Sequence, residues 1–213
     1  MQSRSAVIRL RSDFFKPVIH FVRKNPVTSA FCFVFLAGCI LGAVFSSVGV
    51  FDEGYLDDTF SVFIESRRFS GFTGLFSSIF TPSLIFLILA FLCGFFVFGS
   101  AAAPVLIFVR GIGFGFCVGR IITSYGINGT LFWFFVILPG LFFSSAALIA
   151  SCKASFDISL ELLYQLKADM PQMRFRARLQ PFFKCFLIMT AVTVFSSALE
   201  AALNLLIMPL INV

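Results

Sequence analysis

The chain has 213 residues, of which 59% are hydrophobic and only 12% charged, with a mean hydropathy of +1.01. A soluble domain is nearer half apolar and a quarter charged, so this composition excludes a soluble enzyme and describes an integral membrane protein. The formal charge of +6 does not mark a nucleic-acid binder, because the Lys and Arg residues cluster beside apolar stretches, where the positive-inside rule accounts for them.

Residues 1–25 form a basic amphipathic segment. Val7, Leu10, Phe14, Val18 and Phe21 recur at helical spacing, with Arg9, Lys16, Arg23 and Lys24 largely on the other side. This pattern predicts a short cytoplasmic helix in the lipid interface, its cations on anionic head groups; a disordered basic arm is the plainer alternative. Residues 26–213 read as one transmembrane domain. Asn25-Pro26 is a helix-start signal for a first span over 27–50. Within it, Leu36-Ala37-Gly38-Cys39 has the look of a lipoprotein cleavage box. Apolar sequence runs straight on past Cys39, which favours an uncleaved anchor.

The stretch from Phe51 to Ser78 is acidic, with Asp52, Glu53, Asp57 and Asp58 at its start. Its apolar spacing predicts amphipathic helix on the outer surface, able to face an extracytoplasmic protein, with a solvated acidic loop as the alternative. Thr81-Pro82 repeats the cap-and-proline signal and opens a second span over 82–99. Pro104 opens a third over 104–124, and Ser124 to Thr130 reads as a turn. The fourth span covers 131–152, interrupted at Pro139-Gly140, where a proline frees a carbonyl and bends the axis. Asp157 to Lys167 has enough periodicity for a short surface helix, and the last span covers 182–210.

The expected fold is therefore all-α: a polytopic protein with five transmembrane helices and short amphipathic interfacial helices. Arg4, Arg9, Arg11, Lys16, Arg23 and Lys24 precede the first span, and Lys153, Lys167, Arg174, Arg176, Arg178 and Lys184 lie around the fourth loop. The loop between the first two spans is acidic. These charges place the N-terminus in the cytoplasm and the C-terminus outside.

Two features inside the spans carry information. Gly111, Gly115 and Gly119 recur every fourth residue, so they share one helix face and offer a flat strip for close helix packing, which is how helices associate in lipid. Charged residues within spans are functional candidates. Arg110 falls near the cytoplasmic end of the predicted third span, from which its side chain can snorkel back to the head groups. Arg120 and Glu200 lie at similar depth in the outer half, which makes an intramembrane ion pair possible, with Ser196 and Asn204 one turn to either side of Glu200. The alternative is that each meets water or head groups separately.

Catalytic signatures are missing. His20 is the only histidine, no HExxH or Walker loop occurs, and Gly111-Ile112-Gly113-Phe114-Gly115 lies in an apolar helix instead of after a strand. The six cysteines fall in or at the ends of apolar runs with no CxxC pair, so they read as small packing residues. No catalytic residue, cofactor or metal site is expected, and the lipid bilayer is the evident partner.

Val109-Arg110-Gly111-Ile112-Gly113-Phe114-Gly115-Phe116-Cys117-Val118-Gly119 resembles the central helix of the stage II sporulation protein M family. Ile137-Leu138-Pro139 with Ser144 to Ile149, and the last helix with Ala198-Leu199-Glu200-Ala201-Ala202 and Pro209, are similar to that family too. Gly140, Leu141 and Ser144 depart from it, because many relatives carry polar residues after the Leu-Pro. The resemblance implies a non-catalytic membrane component of engulfment in endospore formation. It would sit in the mother-cell septal membrane as a scaffold for two peptidoglycan-degrading partners, stage II sporulation proteins D and P. A small transporter or permease subunit is the alternative, since interrupted helices and buried charge also build transport sites.

Overall fold

The computed structural model describes residues 25–48, 71–168 and 173–207. Among them the chain is helical throughout, apart from a short connection, and five helices are long and apolar enough to cross a membrane. The basic segment 1–24, the acidic residues Asp52, Glu53, Asp57 and Asp58, and the interfacial helices expected there lie outside the described residues.

Helix α1 (Pro26–Val48) starts where the Asn25-Pro26 signal puts it. The Ser29 amide donates to the Asn25 carbonyl at 3.1 Å, and the Asn25 side chain accepts from Lys153 Nζ at 3.4 Å. Helix α2 (Phe72–Cys93) starts ten residues before the expected boundary, so Thr81-Pro82 is a helix interior and not a helix start. Pro82 cannot donate to the Ser78 carbonyl, a defect tolerated in lipid where neighbours or a cavity re-satisfy the backbone. The residues from Phe72 to Ser78, read above as surface helix, are thus the first turns of a span. Phe72, Phe76 and Phe80 stack along them with centroids 6.4 and 5.3 Å apart.

Helix α3 (Gly99–Phe132) also starts early, with Pro104 in its second turn. The turn expected at Ser124 to Thr130 is helical instead. A π-helical turn (Trp133–Ile137) follows, and α4 (Leu138–Ala168) begins directly after it. Ala103 and Ile107 of α3 nonetheless share one core with Leu148, Ile149 and Cys152 of α4, so the chain doubles back between them. The wider π turn precedes Pro139, whose missing N–H leaves the Phe135 carbonyl inside that turn without its usual partner.

Helix α4 runs unbroken to Ala168, joining the fourth span and the separate surface helix expected at Asp157 to Lys167. Ser151, Ser155 and Ser159 recur every fourth residue on its buried face, each with 0% exposure. Ser155 and Ser159 meet backbone carbonyls at the end of α2 and in the connection after it, where a helix terminus leaves acceptors without a partner in their own helix. The Ser155 hydroxyl donates to the Ala90 carbonyl at 2.6 Å, and the Ser159 hydroxyl to those of Phe96 and Val97 at 2.8 and 3.1 Å. Ser159 Oγ in turn accepts from the Ser100 amide at 2.9 Å, which fixes the start of α3.

Helix α5 (Met173–Ile207) closes the bundle. Near its start Phe182 and Phe186 meet Phe91 of α2 at centroid distances of 5.4 and 5.0 Å. Gly94 makes room for this cluster, because a methyl group there would stand 2.7 Å from the Phe182 ring. Side chains such as Phe33, Leu187 and Leu206 stay exposed, as lipid-facing positions of a membrane bundle should.

Candidate intramembrane site

The glycine strip on α3 packs against α1, and the contact is reciprocal. A methyl group on Gly111 would stand 2.6 Å from the Phe35 carbonyl oxygen, one on Gly115 would fall on the Cys39 peptide, 2.7 Å from its carbonyl carbon, and one on Gly119 would be 2.7 Å from Ser46 Cβ. From the other side, a methyl on Gly38 would stand 2.6 Å from the Phe108 carbonyl oxygen, and one on Gly42 would be 2.8 Å from the Phe116 amide nitrogen. Two ladders of small residues, Gly38-Gly42-Ser46 and Gly111-Gly115-Gly119, thus bring two backbones into contact, the geometry that small residues at intervals of four permit. The α1 ladder went unread in the sequence because Gly38 sits in the apparent cleavage box. Its signal, small residues at intervals of four, was present. Gly113 points the other way, with nothing within 4 Å of an added methyl.

Beside this seam, α2, α3, α4 and α5 surround a cavity of about 160 Å³. Its wall includes Ser78, Pro82 and Ser83 of α2, Arg110 and Cys117 of α3, Ser144 of α4, and Ser196, Ser197 and Glu200 of α5. The Arg110 guanidinium donates to Ser83 Oγ at 3.1 Å and lies over the Phe86 ring, 5.1 Å from its centroid. The Ser83 hydroxyl donates its own proton to the Ile79 carbonyl at 3.3 Å. The cation–π contact and this hydroxyl are two of the partners that a guanidinium with five N–H donors takes up away from water.

Across the cavity, Glu200 is only 3% exposed and is the acidic group whose charge acts on Arg110. Gly140 permits this placement, because a methyl there would stand 2.7 Å from Glu200 Cβ. The Ser196 hydroxyl donates to the Gly140 carbonyl, so α5 is drawn onto α4 just past the π turn and Pro139. The buried stripe of α5 at this end is polar: Thr193, Ser196, Ser197, Glu200 and Asn204. Neither end of the Asn204 amide finds a hydrogen-bond partner among the described residues. A membrane helix that turns its polar stripe inward is built around a site or a pairing surface.

The structure corrects the reading of Arg110 as a residue that snorkels outward. Because α3 starts at Gly99, five residues earlier than expected, Arg110 stands at the middle of the Gly99–Thr123 span. At that depth its guanidinium turns into the bundle. Arg120 is half-buried. Arg110 and Glu200 both line the cavity, so Arg110, which the sequence pattern had assigned to the head groups, is a basic neighbour of Glu200.

The sequence pattern of the family described as "Stage II sporulation protein M" matches residues 31–203. The chain belongs to the stage II sporulation protein M family. No curated protein and no solved structure matches it. The matched stretch of this family member takes in both small-residue ladders, Arg110, Gly140 and Glu200, so the seam and the cavity both lie within the family's domain. Membership and the five apolar helices together make it a sporulation-related, multi-pass membrane protein.

Proposed function

We propose that the protein is a non-catalytic scaffold that holds a peptidoglycan-degrading complex at the mother-cell septal membrane during engulfment. The partners in this reading are stage II sporulation proteins D and P, and the surface offered to them is the acidic outer segment that begins at Asp52. The observation that carries the reading is the family match over residues 31–203. The bundle suits it: the serines of α4 and the glycines of α1 and α3 join helix to helix, giving a stiff platform.

Deleting the gene in a sporulating cell and following the septal membrane with a lipophilic dye is the test. Engulfment is expected to stall at the septum, and co-purification of the two hydrolases with each other should weaken. A forespore that is engulfed on schedule would overturn the reading. A second reading, a small transporter or permease subunit, is favoured by the cavity, since buried charge beside an intramembrane space is a way to build a midplane substrate site.

A further inference from the structure

Away from the Arg110 cavity, a groove runs along α4 beside α1, with Cys185 of α5 also in its wall. Its residues sort by depth. Asn25, Thr28 and Lys153 stand at one end, and Leu36 and Phe142 at the other. Leu36 is eleven residues beyond Asn25 on α1, and Phe142 is eleven residues before Lys153 on α4, about 16 Å along either helix at 1.5 Å per residue. That is about half of a hydrocarbon core of roughly 30 Å, the depth of one leaflet. Leu36 and Phe142 are 55% and 67% exposed, so the groove is open sideways to the acyl chains. Between its ends Ala146 and Ala150 line it, side chains too short to fill it.

The end at Lys153 is chemically distinct. Lys153 is half-buried and level with Asn25, whose side-chain oxygen accepts from its ammonium at 3.4 Å. An ammonium has three donors, and among the described residues this is the one hydrogen bond that Lys153 makes. Asn25 precedes the first span, so Lys153 stands where the apolar core gives way to head groups, on the side that the basic residues assign to the cytoplasm. The amide N–H groups of Asn25 and the Thr28 hydroxyl border the same end and are donors as well. Asp157 lies one turn further on, is exposed and has an interaction of its own, so water screens its charge. An apolar trough that ends in a cation and neutral donors complements an oxyanion with a hydrocarbon tail.

We propose that this groove binds one anionic phospholipid of the cytoplasmic leaflet, its phosphate on Lys153 and an acyl chain laid along α4 beside α1. Charge selects the head group: phosphatidylglycerol brings one negative charge to the ammonium, whereas phosphatidylcholine brings a second cation with its phosphate. A helix of another copy of the chain is the competing occupant. It would cover the Lys153 ammonium with apolar side chains and leave its donors unmet, which is costly in lipid. The site is independent of any hydrolase partner, because it belongs to the lipid-facing side of the bundle.

Native mass spectrometry of the full-length protein, titrated in detergent with phosphatidylglycerol or phosphatidylcholine of equal chain length, tests it. One phosphatidylglycerol is expected to be retained about tenfold more tightly than phosphatidylcholine, the lower end of what a hydrogen bond to a charged group contributes. Lys153→Gln should bring the two lipids to equal affinity, and Lys153→Arg should keep the preference. Ala146→Phe puts a ring into the apolar part of the groove at an exposed position. It should weaken both lipids and leave the unfolding temperature unchanged. Equal retention of both lipids by the unmodified protein, a preference that survives Lys153→Gln, or undiminished binding to a folded Ala146→Phe protein would overturn the proposal. So would a dimer that holds no lipid and that Ala146→Phe dissociates.

Discussion

Leucine at Gly115 is expected to remove the folded protein from the membrane. The added side chain would begin on the peptide of Cys39, with backbone and not a movable side chain in its way. Overpacking an ordinary core costs about 1–3 kcal/mol, and here neither helix can yield without giving up the seam along its whole length. The cost is therefore above that range, and with a total stability of only about 5–15 kcal/mol the loss of the whole seam is expected to abolish accumulation. Gly42→Leu should do the same from the α1 side. Gly113→Leu, two residues from Gly115 on the same helix but facing open space, should accumulate normally. Fluorescence of a fused reporter in membrane fractions, combined with thermal unfolding of whatever accumulates, checks all three. A Gly115→Leu protein as abundant and as heat-resistant as Gly113→Leu would show that α1 and α3 do not touch there.

The second large effect concerns the two charges in the cavity. Glu200→Leu leaves the Arg110 guanidinium inside the bundle without its acidic neighbour, and Arg110→Leu does the converse to Glu200. Removing one partner of a buried charge pair typically costs about 3–5 kcal/mol, because the survivor stays uncompensated. The double variant should be destabilised by less than the sum, with a coupling of at least about 1 kcal/mol. Unfolding followed in detergent gives the three values needed. Additivity would mean that the two side chains do not act on each other across the cavity.

The number of spans was legible because it rests on bulk apolarity, which survives errors of several residues at any one end. The ends were less legible, and proline is the reason. In water Thr81-Pro82 and Pro104 announce a helix start, since an interior proline is expelled. In a bilayer leaving the helix exposes far more backbone than one lost hydrogen bond, so α2 and α3 run straight through Pro82 and Pro104. The same economy hid the reversal after α3, where helical and π-helical bonding continues through a stretch whose Gly and Asn residues suggest a turn.

One of these boundary errors changed the chemistry. Five residues at 1.5 Å each move Arg110 by about 7.5 Å along the axis, which is the difference between a side chain that reaches the head groups and one that turns inward. The strip at Gly111, Gly115 and Gly119 was readable from spacing alone, whereas its receiving face on α1 required knowing which helix lies opposite. Glu200 stood out as a charge in an apolar helix. Ser83 and Gly140, which hold the two sides of the cavity, have side chains too ordinary in sequence to be noticed.

The register of α1 on α3 is the feature on which the glycine seam depends, and a disulfide reads it directly. In a chain whose six native cysteines are replaced by alanine or serine, Ser46→Cys combined with Gly119→Cys places two thiols where the Cβ positions nearly coincide, 2.7 Å apart. A shift of about 1 Å there meets the roughly 3.8 Å Cβ separation of a disulfide. Mild oxidation of membranes should link this pair within one chain and leave a control pair unlinked, Ser47→Cys with Gly119→Cys, because Ser47 is exposed on α1 while Ser46 is buried. Efficient linkage at 46 and 119 alone is the predicted result. Linkage through 47, or none at either pair, would contradict the packing of α1 on α3.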